Sequence, residues 1–249
     1  MAIFAHPDDD VTIGPLLAHH AMAGIDLSLV VVTKGELGVT GHCGVPAGDE
    51  LAAIREAEVM GACEHYGVGN LVLLRERDAS LAAMDRREQA ILMERLREAI
   101  AQAKPSVIIT FGPEGYTRHS DHRAVGAYVT ELFQSWQPDA ADGYVPQKLY
   151  YVGIPASKLL LARELGEPFS TAFYAVDDAF ITTVVDVSDG LAAAARAESC
   201  YKSQHTAAIM DGFNEIMARV FEGKCFLRLA MSRAAGESAE EEDIFEGLW

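Results

Sequence analysis

Apolar residues fall along this chain in short runs separated by polar, glycine-marked stretches, and their spacing predicts strands alternating with helices. Met1–Ala5 is an apolar strand leading into His6-Pro7-Asp8-Asp9-Asp10, and Pro15 suits the first turn of the next helix, where no N–H is needed. That helix covers Leu16–Ala23 and stops at Gly24, while Leu27–Thr33, valine-rich and uninterrupted, matches a strand covered on both faces. A glycine-rich loop from Lys34 to Gly48 follows. Next come a helix capped by Asp49 and running to about Tyr66, a strand at Asn70–Leu74, a charged helix at Arg86–Ala103 ended before Pro105, and a strand at Ser106–Phe111. A second polar run, Glu114 to His122, precedes a helix from about Asp121 to Trp136. Farther on, Lys148–Val152, Phe180–Val187 and Cys225–Met231 fit strands, and Leu191–Ser203 and Ile209–Phe221 fit helices. Strands and helices at these intervals form βαβ units, so the expected fold is α/β: a Rossmann-like, mostly parallel sheet flanked by helices, with a C-terminal α+β extension. With no repeat or low-complexity linker, one domain over 1–249 is expected: a core at 1–136, an extension at 137–235 and an acidic tail at 236–249.

Composition narrows the classes. The 249 residues are 50% apolar, which is globular rather than disordered, and 37 acidic residues against 20 basic ones give a net charge of −17. Phosphate backbones and anionic membranes are bound by clustered lysine and arginine, so neither nucleic acid nor a membrane is expected as partner. No apolar run reaches the length of a spanning helix and no basic-then-apolar leader opens the chain, so a cytoplasmic protein is expected. Cys43, Cys63, Cys200 and Cys225 lack metal-type spacing and fit free thiols in a reducing compartment. Glu237, Glu240, Glu241, Glu242, Asp243 and Glu246 concentrate negative charge near the C-terminus, which predicts a solvated, partly mobile tail.

The candidate chemistry lies in the two polar runs, because ligands of open α/β sheets bind beyond the carboxyl ends of strands, and both runs leave such ends. His6 and Asp9 are three apart in a loop pinned by Pro7, and His119 and His122 are three apart at a helix start. Two histidines and a carboxylate, here His6, Asp9 and His122, form a catalytic zinc set that leaves one position for water. Asp8, beside a ligand, is suited to take a proton from that water; His119 could donate to an oxyanion or leaving group, with Asp121 accepting its other ring proton. Singly, each motif has an ordinary explanation: His-Pro-Asp is usually a turn, and Asp121 alone favours a helix dipole. What those explanations leave out is that two such motifs occur at strand carboxyl ends of one sheet. Two rivals stand beside this reading. One is a Mg²⁺-dependent phosphohydrolase using Asp8, Asp9 and Asp10, which the imidazoles disfavour; the other is a sugar- or nucleotide-binding module without catalysis.

Ala5-His6-Pro7-Asp8-Asp9-Asp10 resembles the AHPDD signature of the LmbE-like, PIG-L-type N-acetylglucosaminyl deacetylase superfamily, and His119-Ser120-Asp121-His122 resembles its HxDH signature. Lys34-Gly35-Glu36-Leu37-Gly38 is similar to its GEAG-like loop and Arg55-Glu56-Ala57-Glu58 to its RxxE helix, so the likeness covers roughly residues 1 to 130. It implies a zinc-dependent amidase that removes acetyl from a small N-acetylated sugar conjugate, with His6, Asp9 and His122 on Zn²⁺, Asp8 as base, and His119 backed by Asp121 at the oxyanion. It also implies that Glu36, Arg55 and Arg118 face substrate, although Arg55 could equally pair with Glu58 along its helix. Homo-oligomer formation is left open. Ser120 where proline is common and Leu37 inside the GEAG-like loop bear on substrate identity more than on metal. Ser203-Gln204 is similar to a pair found after a helix in several members and fits either a substrate contact or a helix end.

Overall fold

The computed structural model describes residues 1–138, 141–167, 171–234 and 240–248. In chain order its elements are β1 (Ala2–Phe4), α1 (Gly14–Met22), β2 (Ser28–Thr33), α2 (Asp49–Tyr66), β3 (Asn70–Glu76), α3 (Arg86–Ala103), β4 (Val107–Phe111) and α4 (Ser120–Ser135). They continue with β5 (Lys148–Val152), β6 (Ile154–Pro155), α5 (Ala156–Glu164), β7 (Ala175–Val176), β8 (Thr183–Asp186), α6 (Leu191–Glu198), α7 (Ala207–Arg219) and β9 (Lys224–Ser232). The expected α3 and β5 match residue for residue. At α3 the reason is a complete cap: the Asp85 carboxylate accepts the N–H groups of Arg87 and Glu88, and Glu88 reaches back to the Asp85 N–H. Asp49 does not cap α2, which Gly48 precedes at φ 133°. A single turn of 3-10 helix, Asp9–Ile13, comes before α1. Pattern alone did not indicate α5, which is only nine residues long.

The chain forms two units. The first comprises Met1–Ile3, Leu81–Val185 and the described residues from Phe226 onward. Its strands lie in the order β1-β4-β5-β9-β8. Ala2 of β1 pairs with Ile109, β4 and β5 run parallel from Val107–Lys148 to Phe111–Val152, and β9 is antiparallel to β5. All five residues of β4 are buried, and the hydroxyl of Thr110, its one polar side chain, donates to the Ile3 carbonyl at 2.8 Å. Gly126 lets α4 press onto this strand, since a Cβ there would collide with the Phe111 carbonyl. The second unit comprises Phe4–Ser80 and Asp186–Cys225. In it β2 and β3 are parallel from Ser28–Asn70 to Thr33–Glu76, and Thr33 donates both its N–H (2.8 Å) and its hydroxyl (2.9 Å) to the Ala5 carbonyl just beyond β1. Helices α1, α2, α6 and α7 belong to this unit.

One expectation about the C-terminal region is overturned. Glu241 is 3% exposed and Ile244 is buried, so the described part of the acidic stretch is not a solvated tail. Glu241 bridges to Thr183 in parallel; its carboxylate accepts Lys148 Nζ (2.6 Å), Tyr150 OH (2.6 Å) and Thr183 Oγ1 (2.8 Å). A buried carboxylate is tolerable only with such partners, and this one has them all within the first unit. Glu237 and Trp249 lie outside the described residues. Among the described residues no disulfide joins any of the four cysteines. Among the described residues no helix is long and apolar enough to cross a membrane.

Candidate active site

In the second unit, the loop after β1 carries His6, Asp8 and Asp9. Asp9 closes it: its Oδ2 accepts the N–H groups of Ala5 (3.1 Å) and His6 (2.7 Å). Asp8, just before it, has φ 112°, a left-handed conformation uncommon for any residue but glycine and held here by its surroundings. Arg55 supplies much of that constraint. Its guanidinium donates to Asp8 Oδ1 (2.8 Å), the Gly35 carbonyl (2.8 Å) and the Pro7 carbonyl. The arginine is 3% exposed and bound to the loop; Glu58 instead accepts the N–H and hydroxyl of Ser203. Burial raises the Asp8 carboxyl above its ordinary range, against the pull of Arg55. Burial also pushes Asp10 up to about 7, although the Tyr201 hydroxyl, 2.6 Å from both its oxygens, favours the anion.

Asp78 completes this cluster from the loop after β3. Its Oδ1 lies 3.0 Å from His6 Nε2, while His6 Nδ1 lies 3.4 Å from Asp9 Oδ2. Burial works against an anionic Asp78, but His6, the Leu37 N–H and Arg55 outweigh it and bring its carboxyl to about 2. A carboxylate on Nε2 leaves Nδ1, on the Asp9 side, as the ring nitrogen suited to a metal. Glu36 is turned inward, both its oxygens 3.2 Å from the Asp78 N–H.

In the first unit, the second motif opens α4 after a loop wound through three positive φ angles: Gly115 at 73°, Tyr116 at 57° and Arg118 at 67°. The two histidines are set in opposite senses. His122 Nδ1 lies 3.0 Å from the Gly115 carbonyl, which can only accept, so Nδ1 bears the proton and Nε2 the lone pair. Its ring stacks on Phe111 at 4.1 Å between centroids. His119, the cap of α4, accepts the Asp121 N–H on Nδ1 at 3.2 Å, so in the neutral ring Nε2 bears the proton. One ring thus presents a lone pair and the other a proton, on rings 5.2 Å apart.

Asp121 engages His119 through its backbone N–H, and its carboxylate Oδ1 accepts the Leu81 N–H at 3.1 Å. Arg118 lies over the Tyr174 ring, 3.7 Å from its centroid.

Residues 1–133 match the family described as PIG-L: GlcNAc-PI de-N-acetylase, which is more than half of the chain. The chain belongs to the PIG-L family. A 1D-myo-inositol 2-acetamido-2-deoxy-alpha-D-glucopyranoside deacetylase from Rhodococcus opacus is 30% identical over 84% of this chain and 82% of its own. Deacetylase 2 of the same description from Catenulispora acidiphila is 29% identical over 100% of this chain and 96% of its own. In fold, this PIG-L member resembles the N,N'-diacetylchitobiose deacetylase from Pyrococcus horikoshii, with TM-score 0.68, 20% identity, and 92% and 82% of the two chains covered. It resembles to the same degree GalB, a 4-carboxy-2-hydroxymuconate hydratase from Pseudomonas putida, with TM-score 0.69, 15% identity, and 95% and 98% covered. The fold therefore hosts more than one reaction, and function has to be argued from side chains.

Within this PIG-L member, Asp78, Glu198, Tyr201 and His205 escaped the sequence reading. Asp78 carried a usable signal, an acid just past the carboxyl end of a strand. Glu198 and Tyr201 lie within the expected helix Leu191–Ser203 and His205 just beyond it; α6 stops at Glu198 because the following turn sends Tyr201 to Asp10 and Ser203 to Glu58.

Proposed function

We propose that this chain is a zinc-dependent amidase that hydrolyses the N-acetyl group of a small N-acetylglucosamine conjugate to amine and acetate, in the cytoplasm. The reading rests above all on the opposite proton placement in His122 and His119, which separates a ligand from a donor within one motif. His6, Asp9 and His122 would hold the metal: two imidazole nitrogens and an anchored carboxylate suit zinc better than a hard cation. When bound, zinc would lower the pKa of a water toward ~7 and polarise the acetyl carbonyl.

The chain's own residues do the rest. Asp8, with Oδ1 tied to Arg55, takes a proton from the attacking water and passes it to the departing nitrogen as the C–N bond breaks. His119 Nε2–H donates to the carbonyl oxygen as it becomes an anion, and Asp121 keeps that nitrogen protonated by occupying the other. Glu36 and Arg55 serve by holding Asp78 and Asp8, and the stacked Arg118 offers a rigid cationic edge to the sugar. The deacetylase relatives support the amide class.

Amine release from N-acetylglucosaminyl-inositol and N,N'-diacetylchitobiose, with metal analysis of the purified protein, tests this. Expected are about one zinc per chain, loss of activity on chelation and recovery on adding zinc. His119→Ala should keep zinc and lose about 10²–10³ in turnover. Full-activity protein containing only Mg²⁺, or zinc-loaded protein inert on both substrates, would overturn it.

A further inference from the structure

The turn after α6 places a second group on the proposed base. His205 lies with Nε2 3.9 Å from Asp8 Oδ2, the oxygen opposite the one that Arg55 holds at 2.8 Å. Its Nδ1 lies 2.7 Å from Oε1 of Glu198, a carboxylate only 3% exposed. The backbone fixes the ring from a third side, through a 2.8 Å bond from the His205 N–H to the Tyr201 carbonyl. A buried carboxylate needs a cationic or donor partner, and Glu198 has the imidazole. Burial would lower the His205 pKa, but Glu198 and then Asp8 raise it on balance, which supports a charged ring between two acids.

We propose that His205, oriented by Glu198, is a positioning residue that fixes Asp8 for proton removal. This rests on Asp8 being the base of the amidase. The geometry explains why two groups are needed. Asp8 sits in a left-handed conformation with one oxygen committed to Arg55, and one contact leaves the carboxylate free to swing about that bond. His205 on the other oxygen stops the swing, and Glu198 stops His205 from turning away. Displacing a reacting group by about 1 Å can cost about 10²-fold in rate while substrate binding is untouched.

The test uses the zinc-loaded protein with N-acetylglucosaminyl-inositol and N,N'-diacetylchitobiose. His205→Ala should lower kcat about 10²-fold with KM within about twofold and zinc content unchanged, and His205→Gln, which restores a donor toward Asp8, should recover about tenfold of that loss. Glu198→Gln should fall in the same direction by less, and the double variant His205→Ala/Glu198→Gln should be no slower than His205→Ala alone, because the two act as one unit. In metal-free protein, Glu198→Gln should also shift the ¹⁵N resonances of the His205 ring. The proposal is overturned by variants with wild-type kcat, by a KM effect without a kcat effect, by additive losses, by unmoved ring resonances, or by loss of zinc or fold in both single variants. Wild-type protein silent on both substrates overturns the amidase reading and this proposal together; active wild type with indifferent variants overturns this proposal alone.

Discussion

Two acidic runs of this chain look alike on paper. Asp8-Asp9-Asp10 and Glu240-Glu241-Glu242-Asp243 are both consecutive carboxylates flanked by apolar residues. In the first, folded into a tight turn, each acid points a different way and finds a different partner: Arg55 for Asp8, two backbone N–H groups for Asp9, a tyrosine hydroxyl for Asp10. In the second, Glu241 alone is buried while Glu240 and Glu242 are exposed. The backbone form decides the difference. A turn fans successive side chains apart, whereas the isolated bridge to Thr183 holds Glu241 inward between two exposed neighbours. Charge density along a sequence is therefore a poor guide to exposure until the local backbone is known.

Substitutions in the two runs should dissociate chemistry from stability. Asp8→Asn, which keeps an acceptor for Arg55 but removes the base, should lower kcat about 10²–10⁴-fold with zinc content and melting temperature nearly unchanged. Glu241→Ala should do the reverse: about 3–5 kcal/mol lost in urea unfolding, because Lys148 is left buried without its counter-charge, and little change in kcat of the folded protein. Equal effects of both variants on kcat would erase the distinction between the runs. Tyr201→Phe, which removes the donor on Asp10, should cost about 1–3 kcal/mol by the same measurement.

A pH series sharpens the comparison further. The folded state raises the His205 pKa above its ordinary 6.5: burial opposes this, and Glu198, Asp8 and Asp10 override it. A base stabilised in its protonated form contributes stability below its unfolded pKa and loses that contribution as pH rises through the folded pKa. The gap in urea midpoint between wild type and Glu198→Gln should thus be widest in mild acid and close above the raised pKa; a gap that widens with pH would contradict the assignment. The smallest effects are expected from Glu240→Ala and Glu242→Ala, each within about 0.5 kcal/mol.

The parallel strands and the long helices were legible because their apolar periodicity is strong and their caps are local, as Asp85 and Glu88 show for α3. Both histidine motifs were legible for a related reason: each is a short contiguous string whose chemistry is visible without its surroundings. What escaped was long-range. The Arg55 guanidinium binds carbonyls in the loops of Pro7 and Gly35, and Glu36 accepts the Asp78 N–H, contacts that no local pattern announces. Glu198 and His205 sit in a stretch whose pattern suited a plain helix end. Glu241 was misjudged because its partner Lys148 is 93 positions away and reads as an ordinary strand-edge lysine.

That separation has a consequence for how the chain is made. At about 5–20 residues per second, a ribosome that has just finished Lys148 needs roughly 5–20 seconds to reach its counter-ion. Throughout that interval the nascent β5 carries an ammonium group it cannot bury without penalty. The final docking of this strand is accordingly postponed until Glu241 has emerged, and a ribosome stalled before that point would present an unfinished edge to chaperones and proteases instead of a closed one.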